Sequence, residues 1–394
     1  MKKEHVYLDY AASTPIDPEV LEIVHAHMQT TYGNSSSLHH TGREARHVLE
    51  QSRATIAEDL HCLPSEIFFT DGGTHGDNVA LLGTAGAYKH KGKHIIVSAI
   101  EHKAVLETAK QLESEGFEIS YIPVDSGGII DAKILESLIR PDTILVSVMY
   151  ANNEIGTVQP LSTIREILNT RPVGERPLLH TDACQAMGQL PMHMQDLGVD
   201  ILTLSGSKIY GPKGVGVLYK KTGVDLHPIL YGGGQESGIH PGTLNTPLIA
   251  GLATAIHLST ERLPAYTTYL QNIQTYCMDK LHQLDRGISI NGDIHKRLPN
   301  NIHITIPFIE GEACLLMLDD RGIAVSTGSA CASSALQGSH VMRALGVQEE
   351  HTHSSIRITY GRYTTIADID YLIEQLAETI DILRSQSALT IHTS

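Results

Sequence analysis

The run Leu178-Leu179-His180-Thr181-Asp182-Ala183-Cys184-Gln185-Ala186 joins a segment of strand length to a short turn. We predict a strand over Leu178–Asp182, which places the carboxylate of Asp182 at the carboxyl end of that strand. In open α/β sheets, functional groups gather outside this end of the strands. The run therefore predicts a sheet and also the edge of the sheet that carries a site.

Further segments of strand length alternate with amphipathic stretches of helix length. Several strand segments are continuous runs of Val, Ile and Leu, as parallel strands buried on both faces require. The other predicted strands are Ile67–Thr70, His94–Ser98, Ile119–Ile122, Ile144–Met149, Ile201–Leu204 and Gly214–Tyr219. The predicted helices between them include Asn78–His90, Ala104–Glu115, Asp131–Ile139 and Leu161–Asn169. This alternation predicts an α/β fold with a mainly parallel sheet.

The pattern changes in the last third of the chain. A long helical region over Pro247–Leu284 is interrupted near Pro264 and is followed by strand patterns. The segments after it are the strands Asn301–Ile306 and Ser355–Thr359 and the helices Glu310–Asp319, Ser339–Leu345 and Ile366–Arg384. Because 394 residues exceed one core of ordinary size, we expect a smaller α+β domain here.

Composition and charge narrow the classes of function. The chain has 29 Lys and Arg against 44 Asp and Glu, a formal net charge of −15, and the acidic residues are dispersed. Binding along nucleic acid needs a basic face, so we expect no direct nucleic-acid partner. No apolar run reaches membrane-spanning length and the N-terminus does not resemble a signal peptide, so we predict a cytoplasmic protein without a membrane partner.

The cysteines and histidines do not indicate a metal centre. Five cysteines are scattered along the chain without a CxxC pair: Cys62, Cys184, Cys277, Cys314 and Cys331. This distribution argues against a disulfide framework and against a zinc site. The groups His39-His40 and His351-Thr352-His353 have no carboxylate or cysteine at ligand spacing, so we expect no metal site.

Two short turns could bind a phosphate group. Gly73 and Thr74 stand between a predicted strand and a helix start, where free N–H groups and a hydroxyl make an anion site. An ordinary turn with Thr74 as helix N-cap explains the same residues. Lys208 follows a predicted strand in Ser205-Gly206-Ser207-Lys208, beside two hydroxyls. Such a lysine suits attachment of an aldehyde cofactor, although most lysines are simply solvated.

Three more polar residues stand at the end of a predicted strand or just after one. Asp182 could hold the ring proton of a pyridoxal cofactor, and Gln185 could bond its phenolic oxygen. A helix N-cap explains Asp182 equally well when the segment is considered alone. His102 comes soon after the strand His94–Ser98 and could lie flat on such a ring or be ordinary polar surface.

Cys331 differs from the other cysteines in its neighbours. It lies in Ser326-Thr327-Gly328-Ser329-Ala330-Cys331-Ala332-Ser333-Ser334, whose small residues predict an exposed loop. A thiol on a loop and an amine in a Ser/Gly turn are two nucleophiles. Together they suggest a chain that removes sulfur from cysteine.

In order and spacing, these residues resemble the pyridoxal-phosphate-dependent cysteine desulfurases of the NifS/IscS type, in the class V aminotransferase-like family. The resemblance covers nearly the whole chain. Its further motifs are Val6-Tyr7-Leu8-Asp9-Tyr10-Ala11-Ala12-Ser13-Thr14-Pro15, Gly33-Asn34-Ser35-Ser36-Ser37-Leu38-His39, Asn152-Asn153-Glu154-Ile155-Gly156-Thr157, Arg297-Leu298-Pro299-Asn300-Asn301 and Ser354-Ser355-Ile356-Arg357-Ile358-Thr359-Tyr360-Gly361-Arg362. It implies PLP-dependent transferase fold type I. The large cofactor-binding domain, 15–250, would hold a mainly parallel seven-stranded sheet, and 1–14 with 251–394 would form the smaller α+β domain.

The resemblance also implies a role for single residues. Lys208 would attach to the aldehyde of pyridoxal 5'-phosphate and, once displaced by the substrate, act as a base. Asp182 would pair with the ring nitrogen, Gln185 with the phenolic oxygen, and His102 would stack on the ring. The implied phosphate site comprises Gly73, Thr74, Ser205 and Ser207, with Thr243 from the other subunit of a homodimer. The substrate carboxylate would be bound by Asn153 and Arg357.

The implied reaction converts L-cysteine to L-alanine. The thiolate of Cys331 attacks the substrate sulfur and becomes a persulfide. The long loop after Cys331 resembles the subgroup that passes sulfur to an acceptor protein, such as an iron–sulfur scaffold or a tRNA-thiolation enzyme.

The chain departs from the family pattern at several positions near the implied site. The family commonly has Glu and Asn at the positions of His75 and Asp77, and His at the position of Ser207. It commonly has Arg at the positions of Ser237 and His240. We expect reduced or more specialised activity, not its loss. Two alternatives stay open: a selenocysteine lyase or related pyridoxal-phosphate lyase, and a degenerate member that serves as a scaffold in sulfur assembly.

Overall fold

A seven-stranded sheet forms the centre of the fold. The computed structural model describes residues 5–328 and 338–386. In chain order the strands are β1 (Val6–Tyr7), β2 (Ile67–Thr70), β3 (His94–Ser98), β4 (Glu118–Ile122), β5 (Thr143–Ser147), β6 (Leu178–Asp182), β7 (Ile201–Ser205), β8 (Gly216–Lys220), β9 (Ser289–Ile290), β10 (Asn301–Thr305), β11 (Ile323–Ala324) and β12 (Ser355–Thr359). The central sheet has the order β2-β8-β7-β6-β5-β3-β4. Strand β8 is antiparallel to both neighbours, and the other pairs are parallel. The prediction of a mainly parallel sheet is confirmed.

Helices cover both faces of this sheet. They are α1 (Pro18–Thr30), α2 (His40–Asp59), α3 (Gly73–Tyr88), α4 (Lys103–Ser114), α5 (Ala132–Leu138), α6 (Leu161–Asn169), α7 (Met194–Leu197), α8 (Thr246–Glu261), α9 (Leu263–Gln283), α10 (Gly311–Asp320), α11 (His340–Ala344) and α12 (Ile366–Gln386). Alternate strand residues enter two different cores: Ile96 and Val146 pack with α6 and α8, whereas Ile95 and Leu145 pack with α3 and α4. Burial on both faces explains why these strands are continuous apolar runs. No helix within the described ranges is both long and apolar enough to cross a bilayer.

Two of the predicted elements start more than one residue away from their predicted starts, and glycines explain both. Helix α3 begins at Gly73 instead of Asn78, although its Gly-rich first turn has poor helix propensity. Strand β8 begins at Gly216 instead of Gly214, because Gly214 takes a positive φ of 76°, which a strand does not allow.

A second apolar cluster lies outside the central sheet. Strands β10 and β12 pair antiparallel, with β9 at the edge, and α9, α10 and α12 pack around them. Val6 and Leu8 from the N-terminus enter the same cluster, and β1 pairs with β11. We propose that the two apolar clusters are the cores of the expected large domain and of a small domain built from both ends. Because α8 packs in the first cluster, we propose that the large domain extends to Glu261.

The strand directions decide where the site lies. Strands β2 and β7, both antiparallel to β8, run the same way as β3, β5 and β6. The segments that follow these five strands therefore meet at one edge of the sheet. The N-terminal segment crosses the same edge, where the N–H of Thr14 donates to the carbonyl oxygen of Ser207 at 2.9 Å.

The small-domain core can be tested by two leucines of α10. Leu318 is fully buried and Leu316 is 60% exposed. We expect Leu318→Ala to lower the free energy of unfolding by about 2–5 kcal/mol, because it leaves a cavity. Leu316→Ala should change it by less than about 0.5 kcal/mol. Urea denaturation measures both, and equal losses would contradict the described packing of α10.

Candidate active site

A cavity of about 950 Å³ opens at the carboxyl edge of the central sheet. The predicted site residues that line it are Gly73, Thr74, His102, Asn153, Asp182, Gln185, Ser205, Ser207, Lys208 and Arg357. Thr243 is exposed and is not among the described residues that line this cavity. Cys331 lies outside the described residues. However, Gly328 and Gly338, the described residues on either side of 329–337, both line the cavity.

Lys208 follows β7 and its amine lies against main-chain oxygens. Its Nζ donates to the carbonyl oxygens of Ala11 at 2.9 Å and Ala12 at 2.6 Å. Burial lowers the pKa of Lys208, because an ammonium loses hydration in the cavity. A larger fraction of the amine is therefore neutral, the form that attacks an aldehyde or accepts a proton.

Asp182 ends β6 and faces the same cavity, with 7% of its surface exposed. Its Oδ1 accepts a hydrogen bond from the N–H of Cys184 at 2.9 Å. The residues after Asp182 form a turn and no helix, so helix N-capping does not explain this side chain. Gln185 in the same turn donates from Nε2 to the carbonyl oxygen of Ala11 at 2.9 Å.

A second carboxyl group, Asp77 of α3, is buried beside Asp182. One carboxylate oxygen or ring nitrogen from each of Asp77, His102 and Asp182 lies within 4.8 Å of those of the other two residues. Neither oxygen of Asp77 has a hydrogen-bond partner within the described part of the chain. Burial, and next the charge of Asp182, raise the pKa of Asp77, which favours its neutral form. The burial of Asp77 was not predicted, although a charged residue in an apolar helical pattern is a signal for it.

His102 is held in one orientation at the start of α4. It is the N-cap residue, and its Nδ1 accepts from the N–H of Ala104 at 3.1 Å. That bond assigns the proton of the neutral ring to Nε2. Burial is the main cause that lowers the pKa of His102, so the ring is favoured in its neutral form.

The turn between β2 and α3 has the groups that an anion site needs. Helix α3 begins at Gly73 without a side-chain cap, so its first N–H groups are free, and Thr74, Ser205 and Ser207 add hydroxyls to the lining of the cavity. The hydroxyls of Ser205 and Ser207 lie 3.0 Å apart. Gly73 is required here, because a Cβ on it would lie 2.8 Å from the Sγ of Cys184.

Arg357 of β12 brings the small domain to the cavity. Its Nη2 donates to Oδ1 of Asp9 at 2.8 Å, and its Nη1 donates to the carbonyl oxygen of Asn153 at 2.9 Å. Its buried Nε has no partner within residues 5–328 and 338–386. The guanidinium is therefore fixed in place beside Asn153, where an anionic substrate group would be bound.

Glu154 lies beside described residues on both sides of 329–337. The Oγ of Ser339 donates to its Oε2 at 2.5 Å, and a Cβ on Gly328 would lie 2.5 Å from the same oxygen. Burial raises the pKa of Glu154 to about 7. Sequence reasoning assigned Glu154 only to a family motif and did not predict this contact.

Comparison with known proteins identifies the family. The profile of the family described as Aminotransferase class-V matches residues 6–372. The chain belongs to this family. A cysteine desulfurase IscS of Dictyoglomus turgidum is 44% identical over 387 residues, 98% of this chain and 97% of that protein. A cysteine desulfurase IscS of Vibrio cholerae is 43% identical over 389 residues, 98% of this chain and 95% of that protein.

Solved structures show the same fold. A NifS-like protein, 36% identical, has a TM-score of 0.90 and covers 96% of this chain and 100% of its own. A structure of SspA in complex with cysteine, 35% identical, has a TM-score of 0.79 and covers 91% of this chain and 99% of its own. The predicted family resemblance and fold type are confirmed.

The family uses pyridoxal phosphate, and the cavity fits that group. It offers an amine of lowered pKa on Lys208, a buried carboxylate on Asp182, and hydroxyls beside a helix N-terminus. These match in kind an aldehyde, a ring nitrogen that carries a proton, and a phosphate.

The raised pKa of Glu154 predicts a pH dependence of stability. Its pKa is about 7 in the folded chain against an ordinary 4.5, so the folded state keeps a proton that the unfolded state loses between these values. The stability that Glu154 contributes is complete below pH 4.5 and is lost as the pH rises through about 7. Glu154→Gln removes this dependence. We expect the variant to gain up to about 3 kcal/mol of unfolding free energy relative to the wild type over that range.

Urea denaturation across this pH range checks the expectation. Glu312→Gln is the control, because Glu312 is exposed on α10 and should follow the wild type. A constant difference between Glu154→Gln and the wild type would contradict the assigned burial of the Glu154 proton.

Proposed function

We propose that this chain is a cysteine desulfurase that transfers the sulfur of L-cysteine to Cys331 and releases L-alanine. The observation that carries the proposal is that one cavity brings the predicted chemical groups together. It gathers the amine, acid, hydroxyl and guanidinium groups, and Gly328 and Gly338 bring both ends of the Cys331 segment to its lining. The full-length likeness to cysteine desulfurases supports the same activity.

The cofactor would be held by residues from four strand ends. Asp182 would bind the ring nitrogen, Gln185 the phenolic oxygen, and His102 would lie on the ring face. Gly73, Thr74, Ser205 and Ser207 would bind the phosphate. When bound, pyridoxal phosphate holds an amine through its aldehyde and withdraws electrons from the adjacent α-carbon.

Lys208 would act twice, as the attachment point and then as a base. Its lowered pKa leaves a neutral Nζ once the substrate amine has taken its place. Nζ would accept the proton from the substrate α-carbon. Arg357 and Asn153 would hold the substrate carboxylate, which fixes the α-carbon with respect to Nζ.

Cys331 would receive the sulfur. Its thiolate forms a bond to the substrate sulfur while the bond from that sulfur to the β-carbon breaks, and the electron pair of that bond stays on the carbon fragment. The fragment takes up one proton at the β-carbon and regains one at the α-carbon, where Nζ of Lys208 can return the proton it accepted, and leaves as L-alanine. Cys331 is left as a persulfide, whose outer sulfur can pass to a thiol of an acceptor protein.

Partners and location form the rest of the proposal. We propose a homodimer in which Thr243 reaches the phosphate site of the other subunit, since Thr243 is exposed and apart from the cavity of its own chain. The sulfur acceptor would be an iron–sulfur scaffold or a tRNA-thiolation enzyme. A cytoplasmic location suits the free thiols of Cys62, Cys184, Cys277 and Cys314.

Sulfide release from L-cysteine tests the proposal. With pyridoxal phosphate and a reductant present, the wild type should release sulfide and Cys331→Ala should release only background amounts. Cys62→Ala is the matched control, because Cys62 lines a different cavity, and should retain wild-type release. Release that persists in Cys331→Ala would contradict the persulfide route. Release from selenocysteine alone would favour the lyase alternative, and cofactor binding without any turnover would favour a scaffold.

A further inference from the structure

Two residues that depart from the family pattern, His75 and His240, meet beside the turn between β2 and α3. Their ring centroids are 4.7 Å apart and the rings are nearly perpendicular, at 81°. The carboxylate of Asp71 lies beside both rings. One carboxylate oxygen or ring nitrogen from each of Asp71, His75 and His240 lies within 4.8 Å of those of the other two residues.

The three side chains stand on well-fixed backbone. Asp71 follows β2, and His75 lies in the first turn of α3. The segment that carries His240 is anchored to β2 by Glu236, which accepts two hydrogen bonds from Arg53, at 3.0 and 2.7 Å, and one from the N–H of Phe69 at 2.8 Å. A site of this kind needs such support, because ligand atoms must be held close to their bonding positions.

Hydrogen bonds orient the ring of His240. Its Nδ1 lies 3.0 Å from the carbonyl oxygen of Phe69, which can only accept, so Nδ1 carries the proton. Its Nε2 then faces Oδ1 of Asp71 at 3.3 Å. Histidine ligands of metals commonly donate their other N–H to a backbone carbonyl in this way.

The ring of His75 completes the arrangement. Its Nδ1 accepts a hydrogen bond from the N–H of Asp71 at 3.3 Å and lies 3.2 Å from Oδ2 of the same residue. The ring nitrogens of His75 and His240 thus face the two oxygens of one carboxylate, and a metal ion bound there would take the Nδ1 lone pair of His75 from its long hydrogen bond to the Asp71 N–H. For His240 the arrangement is repulsive unless a cation, either a proton or a metal ion, lies between Nε2 and the carboxylate.

We propose that Asp71, His75 and His240 bind a divalent transition-metal ion, with Zn²⁺ as the best match. Zinc bonds of about 2.0–2.2 Å to nitrogen and oxygen place neighbouring tetrahedral ligands about 3.3–3.5 Å apart. The nitrogen–oxygen distances of 3.2 Å, from His75 to Oδ2 of Asp71, and 3.3 Å, from His240 to Oδ1, are close to that separation, so a small rotation of the carboxylate would bring one oxygen into place. Two imidazoles and one carboxylate suit zinc, cobalt or nickel better than calcium or magnesium, which prefer oxygen ligands.

The ion would tie two segments together at the mouth of the site. It would link the turn before Thr74 to the segment that leads to Thr243, and it would leave one tetrahedral position open. Asp71 has a side chain that is 66% exposed, so an ion can reach the site from solvent. The proposal does not depend on the role of Cys331.

Metal titration of the tag-free holoprotein tests the proposal. After chelator treatment, calorimetry with ZnCl₂ should show one ion per chain bound by the wild type. His75→Gln and His240→Gln should each weaken that binding by about 100-fold or more, since loss of outer partners alone costs about 10–100-fold. His257→Gln is the matched control, because His257 Nδ1 also lies 3.3 Å from a carboxylate, that of Asp59, and should leave binding unchanged.

A second readout separates this site from thiol sites. With CoCl₂, the wild type should show visible ligand-field bands without sulfur-to-cobalt charge transfer, and Cys331→Ser should keep them. Zinc should also raise the thermal midpoint of the wild type but not that of His240→Gln. Absence of bound zinc, or equal binding by His75→Gln, His240→Gln and the wild type, would overturn the proposal and leave a proton as the cation between these groups.

Discussion

The burial of three carboxyl groups at one edge of the central sheet is the constraint on which the site depends. Asp77, Glu101 and Asp182 are all buried there, and a buried carboxylate is costly without compensation. Burial raises the pKa of Asp77 and of Glu101, so both are favoured in the neutral form. Asp182 accepts a hydrogen bond from the N–H of Cys184 and faces the cavity, where a protonated ring nitrogen would complete its compensation.

The N-terminal segment couples the two parts of the chain. The carbonyl oxygens of Ala11 and Ala12 accept from Lys208, while Asp9 holds Arg357 of the small domain. The Lys208 end and the Arg357 end of the cavity are therefore positioned by one short stretch of backbone. Glu154 makes a similar connection, because it lies beside Gly328 and accepts a hydrogen bond from Ser339, which stand on either side of 329–337.

The sequence predicted residues whose position follows from strand direction. Asp182 and Lys208 follow predicted parallel strands, and this places both at one edge whatever the details of packing. It did not predict the burial of Asp77 or the contacts of Glu154, because these depend on which helix face and which loop end meet in three dimensions. The meeting of His75 with His240 was beyond prediction for the same reason, since the two residues lie far apart in the chain.

The proposed mechanism rests on attachment of the cofactor to Lys208. Other lysine amines close to the cavity could bind the cofactor aldehyde instead, so the attachment can be tested. Lys103 and Lys110 also line the cavity. Borohydride reduction of the holoprotein, followed by proteolysis and peptide mass mapping, fixes the pyridoxyl group on the lysine that holds it. We expect this mass on the peptide that contains Lys208. Its presence on Lys103 or Lys110 would contradict the assignment of Asp182, His102 and the turn at Thr74 to the cofactor.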